Sequence, residues 1–331
     1  MRSPRRARRG TGPAAAAAGP RTASPTRRGS YHGATVGGVR PAARRSAKSI
    51  ALLVAIVLAG CGQAPPARAP APAAPPAPEE RLGSDAVRLA ARLTEVEAAL
   101  DGDIDAWRAH GDPAAGPPPA AVTLGALYEQ RVVRRLAVDR RLAAGVLPRL
   151  PGGLQRFIRA GVLALRDLRR LSGPPRRHRF KVGPAQPADR LLRAYGEAQR
   201  RFRVGWHVLA AVNLVESQFG RLRNDSVAGA KGPMQFLAAT WRAFGLGGDV
   251  HDPRDAILGA ANYLRHNGAP RRYRHALLAY NHSPLYVDAV LRFARRMAAG
   301  RRAYYALYAW QVYVRTPAGT RRLTGPGTPV T

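Results

Sequence analysis

The chain has 331 residues, 54 Lys+Arg against 20 Asp+Glu, a formal charge of +34 and one cysteine. A single thiol excludes an intrachain disulfide framework, and the length suffices for one or two domains with a real core. The basic excess draws the chain to polyanions such as nucleic acid, anionic lipid or acidic wall polymers, and the compartment decides among them.

Residues 1–48 contain no Asp or Glu. They read either as a basic nucleic-acid-binding tail or, preferred here, as residues upstream of a translation start at Val39. The apolar run Ile-Ala-Leu-Leu-Val-Ala-Ile-Val-Leu at 50–58 is shorter than the about 20 residues a spanning helix needs. With Arg44, Arg45 and Lys48 before it, it has the layout of a signal peptide. Leu58-Ala59-Gly60-Cys61 resembles a lipobox, which implies a diacylglycerol on the Cys61 thiol and a mature protein beginning there. The expected order is therefore a leader at 1–60 and an Ala/Pro-rich, extended linker at 61–80. The chain would lie outside the cytoplasm, lipid-anchored at the outer face of the cell membrane and facing the cell wall.

From 81 to 110, Leu82, Val87, Leu89, Leu93, Val96, Leu100 and Ile104 recur at helical spacing. A Gly/Pro break comes at 111–119, and helical patterns resume over 122–146 and 154–171. Residues 81–171 thus form a helical region of unreadable role, either a small packing domain or an N-terminal extension of the domain after it. Residues 172–187 read as a linker. Further helices are expected over 189–203, 206–219, 237–244, 253–267, 272–280 and 285–299. The fold class is mainly α, with a disordered signal and linker segment at the front. Residues 301–331 are expected to form a tail, loose from Thr316 onward.

In the helix at 206–219, Val208, Val212, Val215 and Phe219 share a face, and Glu216 stands at its edge. It is the only glutamate beyond residue 200. Desolvation of such a carboxyl raises its pKa, as a general acid at neutral pH requires; a solvated glutamate at a helix end is the plainer alternative. Downstream come the glycine-punctuated loop Ser226-Val227-Ala228-Gly229-Ala230-Lys231-Gly232-Pro233-Met234-Gln235-Phe236, then Leu237-Ala238-Ala239-Thr240-Trp241, Asp252-Pro253-Arg254-Asp255-Ala256-Ile257, Ala260-Ala261-Asn262-Tyr263-Leu264 and Ala279-Tyr280-Asn281.

Together these motifs resemble the soluble lytic transglycosylase family over roughly residues 188–297. The resemblance implies a goose-lysozyme-like helical catalytic domain, bounded here at 188–300, that cuts the glycan strands of peptidoglycan. It implies Glu216 as the catalytic acid and base. It implies Ser217, Ser226, Gly232, Met234, Gln235, Tyr280 and Asn281 as substrate-side residues, with Met234 and Gln235 lining the sugar groove and Tyr280 holding the catalytic carboxyl group. The sequence departs from the pattern twice. An extra residue falls within Arg221–Asn224, and Asn281 is followed by His282-Ser283-Pro284.

Other groups have simpler readings. Asp252-Pro253-x-Asp255 is a helix start, and Trp241, Phe244 and Tyr263 are core residues before they are sugar platforms. His207, His251 and His282 fit no metal spacing, and no G-x-S-x-G elbow surrounds Ser217. No metal or cofactor is expected. The expected partners are peptidoglycan strands and, through Cys61, the membrane, with no nucleic acid and a monomeric state. A hydrolytic muramidase and a non-catalytic wall-binding lipoprotein remain the alternatives. Asp225 and Asp249 are the nearest candidates for a second acid.

Overall fold

Asp85 opens the first helix. Its carboxylate accepts hydrogen bonds from the Val87 and Arg88 amides at 2.8 and 3.1 Å, satisfying two of the donors that a helix start leaves free. Helix α1 then runs Ala86–His110. The computed structural model describes residues 74–173 and 179–328; the leader, the apolar run, Cys61 and most of the linker lie outside them. Leu89, Leu93, Val96, Leu100 and Ile104 are buried as their spacing predicts, and Trp107 joins them. Val87 is 59 % exposed, because the first turn projects past the core.

The pattern at 122–146 resolves into two helices, α2 (Ala120–Val138) and α3 (Arg140–Val146). Asp139 separates them. It ends α2 in an extended conformation, and its side chain caps α3 at the Leu142 amide, 2.9 Å away. A short 3-10 turn, Leu147–Arg149, leads into α4 (Gly152–Leu171). Arg166 of α4 donates to the last carbonyls of α2, Leu136 and Ala137, at 2.8 and 3.1 Å, and so closes that helix end.

Residues 179–187 do not behave as the linker expected there. Val182 forms an antiparallel bridge with Leu222, and the Gly183 and Arg223 amides donate to the Arg221 and Lys181 carbonyls. The added residue in 221–224 falls in this pairing. Helices α5 (Ala188–Phe202), α6 (Trp206–Ser217), α7 (Ala238–Phe244), α8 (Pro253–His266), α9 (Tyr273–Tyr280) and α10 (Pro284–Ala298) come next. Asp252 caps α8 through the Asp255 amide at 2.9 Å, with Pro253 in the first turn.

The C-terminal segment is not a tail. Helix α11 (Arg301–Tyr308) buries Tyr304, Tyr305, Leu307 and Tyr308. A hairpin of β1 (Tyr313–Thr316) and β2 (Gly319–Arg322), paired antiparallel, ends the described chain. The Gln130 and Gln311 side chains are both buried. Gln130 Nε2 donates to the Gln311 carbonyl and its Oε1 accepts from the Gln311 amide, both at 2.8 Å, which binds α2 to the start of the hairpin.

One core joins the two helical halves. Helix α10 packs on α4 and α6, α5 on α8, and α1 on α2, with a continuous apolar cluster from Leu89 to Trp310. The buried Arg296 of α10 pairs with the buried Glu129 of α2. The region at 81–171 therefore shares one core with the helices that follow it, without a break in packing near residue 188.

Candidate active site

Helix α6 carries the site. Val208 to Leu214 are all buried, so the helix is enclosed on every side by α5, α8 and α10, rather than presenting the single apolar face its spacing predicts. A buried helix must end cleanly to bring a polar residue to the surface. Gln218, Phe219 and Gly220 do this with three consecutive left-handed conformations, φ 52°, 60° and 82°. The turn is held by Ser217, whose buried hydroxyl accepts from the Gly220 amide at 2.8 Å and donates to the Pro233 carbonyl at 2.6 Å. Asn213, also buried, donates to the Tyr195 hydroxyl at 2.8 Å and lies 3.2 Å from the Ser217 hydroxyl through its own carbonyl oxygen. Ser217 thus joins the end of α6 to the glycine loop, and its hydroxyl is spent within the fold.

Glu216 sits one residue before this turn, half-buried. Its Oε1 accepts a hydrogen bond from the Tyr286 hydroxyl at 2.6 Å. Desolvation pushes the carboxyl up from its ordinary value to about 7, and the Tyr286 hydrogen bond, which favours the anion, works against that rise. Burial also pushes the Tyr286 and Tyr280 phenols well above their usual value, reinforced by the nearby Glu216 charge. Both phenols therefore stay protonated and act as donors.

The carboxyl group borders a cavity of about 1080 Å³. On its own side the cavity is edged by Val215, Gln218, Asp225, Ser226 and Gln235. The rest of the lining comes from elsewhere in the chain: Arg134 and Val138 of α2, Leu165 and Arg169 of α4, and Tyr313 and Arg315 of β1. Among the described residues no cluster of three His, Cys, Asp or Glu side chains has the arrangement of a metal site.

The structure sorts the residues expected on the substrate side. Ser217, Ser226 and Gln235 border the cavity with Glu216. Ser226 closes its own loop: its hydroxyl accepts from the Ala230 amide at 3.0 Å and its amide donates to the Ala230 carbonyl at 2.9 Å. Gln235, at φ 52°, turns its side-chain amide to the Gly232 carbonyl at 3.0 Å. Met234 is fully buried and does not line the groove; its carbonyl accepts from the Tyr280 hydroxyl at 2.7 Å. Tyr280 therefore does not hold the Glu216 carboxyl group, as the resemblance implied it would. That bond belongs to Tyr286, whose ring lies parallel to that of Tyr280 with centroids 6.5 Å apart. Gly232 is demanded by packing, since a Cβ there would lie 1.9 Å from the Val250 carbonyl oxygen and φ is +73°. Asn281 ends α9. None of Gly232, Met234, Tyr280 and Asn281 borders the cavity.

Trp241, Phe244 and Tyr263 are half-buried packing residues. Trp241 meets Phe236 edge-on at 5.1 Å, Phe244 meets Tyr263 at 5.0 Å, and the Tyr263 hydroxyl donates to the Ala279 carbonyl at 2.8 Å.

An acid of raised pKa at the end of a buried helix, bordering a large cavity, is placed to exchange a proton with a bound molecule. The family model described as Transglycosylase SLT domain matches residues 193–298, so this segment, about a third of the chain, is similar to the soluble lytic transglycosylases. Domains of that family act on peptidoglycan, outside the cytoplasm, by lytic transglycosylation. No curated protein and no solved structure matches the chain. No helix among the described residues is long and apolar enough to cross a membrane.

Proposed function

We propose that the protein cleaves the β-1,4 bond between N-acetylmuramic acid and N-acetylglucosamine and leaves 1,6-anhydro-muramic ends, with Glu216 serving first as acid and then as base. The supporting observation is the Glu216 carboxyl group itself, poised near pH 7, held by Tyr286 and opening on the groove. Protonated Glu216 gives its proton to the linking oxygen as the bond from the sugar C1 to that oxygen breaks. The substrate's acetamido oxygen stabilises the cationic C1, a recognised alternative to a protein nucleophile. The C6 hydroxyl then attacks C1 and returns a proton to Glu216, so the enzyme is regenerated and no water is consumed. Acid–base catalysis of this kind contributes about 10²–10⁴-fold. Glu216→Gln should therefore cut turnover at least about 100-fold while the protein stays folded. Retained turnover in a folded Glu216→Gln protein refutes the assignment.

Asp225 supports a second reading. It borders the same cavity as Glu216 and could activate a water, giving a muramidase with hydrolysed ends. Mass spectrometry of the products separates the two, because anhydro ends weigh one water less. Sensitivity to Asp225→Asn together with hydrated ends would favour hydrolysis.

We also propose that Cys61 is acylated and tethers the enzyme to the membrane. The support is the order of basic flank, apolar run and small-residue site before it. Each buried CH₂ of an acyl chain contributes about 0.8 kcal/mol of anchoring. Cys61→Ser should move the protein from the membrane fraction to the soluble extracytoplasmic fraction; unchanged membrane fractionation argues against the anchor.

A further inference from the structure

The lining of the cavity that Glu216 borders carries cations without counter-ions. Arg134 of α2 and Arg169 of α4 both border it. Among the described residues, neither guanidinium is paired with a carboxylate, and no carbonyl accepts from either. The Arg134 guanidinium carbon lies over the Tyr313 ring, 4.2 Å from its centroid, a contact that uses the ring face and none of the N–H donors. The two cations repel one another, and burial pushes Arg134 down to about 10, so it stays charged at neutral pH while partly stripped of water. Other sheltered arginines have partners: Arg292 pairs with Asp167 and Arg296 with Glu129, while Arg166 and Arg221 donate to backbone carbonyls. A desolvated guanidinium with free donors is suited to bind a planar anion in a two-pronged hydrogen bond.

We propose that Arg134 and Arg169 form an anion subsite that takes a free carboxylate of the short peptide borne by the glycan strand, so that strands with acidic peptides are the preferred substrate. The inference rests on the function proposed above and adds to it the class of strand the groove selects. It also gives a use to the N-terminal helices: α2 and α4 bring the two cations to a groove whose acid comes from α6. A charge-assisted bidentate contact changes affinity by about ten- to hundred-fold.

The test measures binding and turnover separately on three preparations: strands with native peptides, the same strands with peptide carboxylates converted to amides, and strands stripped of peptides. The purified full chain should bind and cleave native strands at least about tenfold better than amidated ones. Arg134→Gln and Arg169→Gln should each shrink that ratio, chiefly through KM, and together bring it close to one. Arg134→Lys, which keeps the charge but cannot make the two-pronged bond, should keep only part of the preference. Arg169 is exposed, so its replacement does not threaten folding. Arg271→Gln with Arg301→Gln removes the same charge from exposed positions that do not border the cavity and should leave the ratio intact. Equal use of native and amidated strands overturns the subsite, as does a preference untouched by Arg134→Gln and Arg169→Gln or lost equally in Arg271→Gln with Arg301→Gln. Charge-selective binding without any cleavage would instead sink the enzyme reading and leave the subsite standing.

Discussion

Glu216 couples protonation to both catalysis and stability. Its folded pKa of about 7 lies above the ordinary 4.5, so the proton favours the folded state. That stabilisation is fully present below about pH 4.5 and is lost as pH rises through 7. Glu216→Gln escapes the cost and should melt higher than the parent above pH 7, by at most about 3 kcal/mol since the group is only half-buried, with the gap closing at pH 4.5. Activity requires the protonated acid, so kcat/KM should fall above a pKa near 7. Tyr286 favours the anion by its 2.6 Å hydrogen bond, and removing it should raise the carboxyl pKa further. Tyr286→Phe should therefore shift the descending limb of the pH profile to higher pH and lower kcat about tenfold through the lost orientation. A limb that stays in place or moves to lower pH contradicts this role for Tyr286.

At the level of elements, much of the site was legible because its signals are local. The glycine loop and the Asp252 cap are written in neighbouring residues and form where their patterns predict, whereas α6 ends at Ser217, two residues short of the end expected at 219. Gly232 illustrates the constraint: its φ of +73° and the 1.9 Å approach of a would-be Cβ to the Val250 carbonyl leave room for no side chain. Gly232→Ala should cost about 2–4 kcal/mol, by analogy with other strained or overpacked sites, and lower activity by displacing Gln235. A thermal melt within about a degree of the parent would show that the loop relaxes freely. What could not be read came from distant pairings. Tyr286 lies 70 residues beyond Glu216, just past the point where the sequence departs from the family pattern, and no local signal marks it. The same holds for the arginine-bearing wall, since helical spacing in α2 and α4 shows which face is apolar but not what that face meets. The break at Asp139 was readable in principle, as an acid able to cap a new helix, yet the apolar period ran through it.

The molecule as a whole is held by contacts between its two halves. Arg296 and Glu129, both buried, tie α10 to α2, and the reciprocal Gln130–Gln311 amide bonds fasten the hairpin to the same helix. Composition correctly placed a sizeable core in the chain, but the Ala/Pro/Arg-rich sequence masked its extent. The tyrosines of α11 read as tail residues because Gly, Pro and Thr crowd the stretch just beyond them, yet they fill the centre. Tyr304 and Tyr308 donate to the Ala188 and Gln186 carbonyls, each at 2.9 Å, and Tyr305 donates to Asp189 at 2.5 Å. A protein ending at Ala299 loses these bonds together with several large buried side chains, each worth about 1.5–3 kcal/mol in burial alone. It should lack a cooperative unfolding transition and be digested rapidly by trypsin. A sharp melt for such a protein would mean that the core closes without α11.

That clasp also sets an order of events. Helix α11 grips the stretch where the first half of the chain passes into the second, and it leaves the ribosome after both halves, so assembly cannot finish before it emerges. A chain built in this manner stays slack through most of its synthesis, and its core closes only at the end.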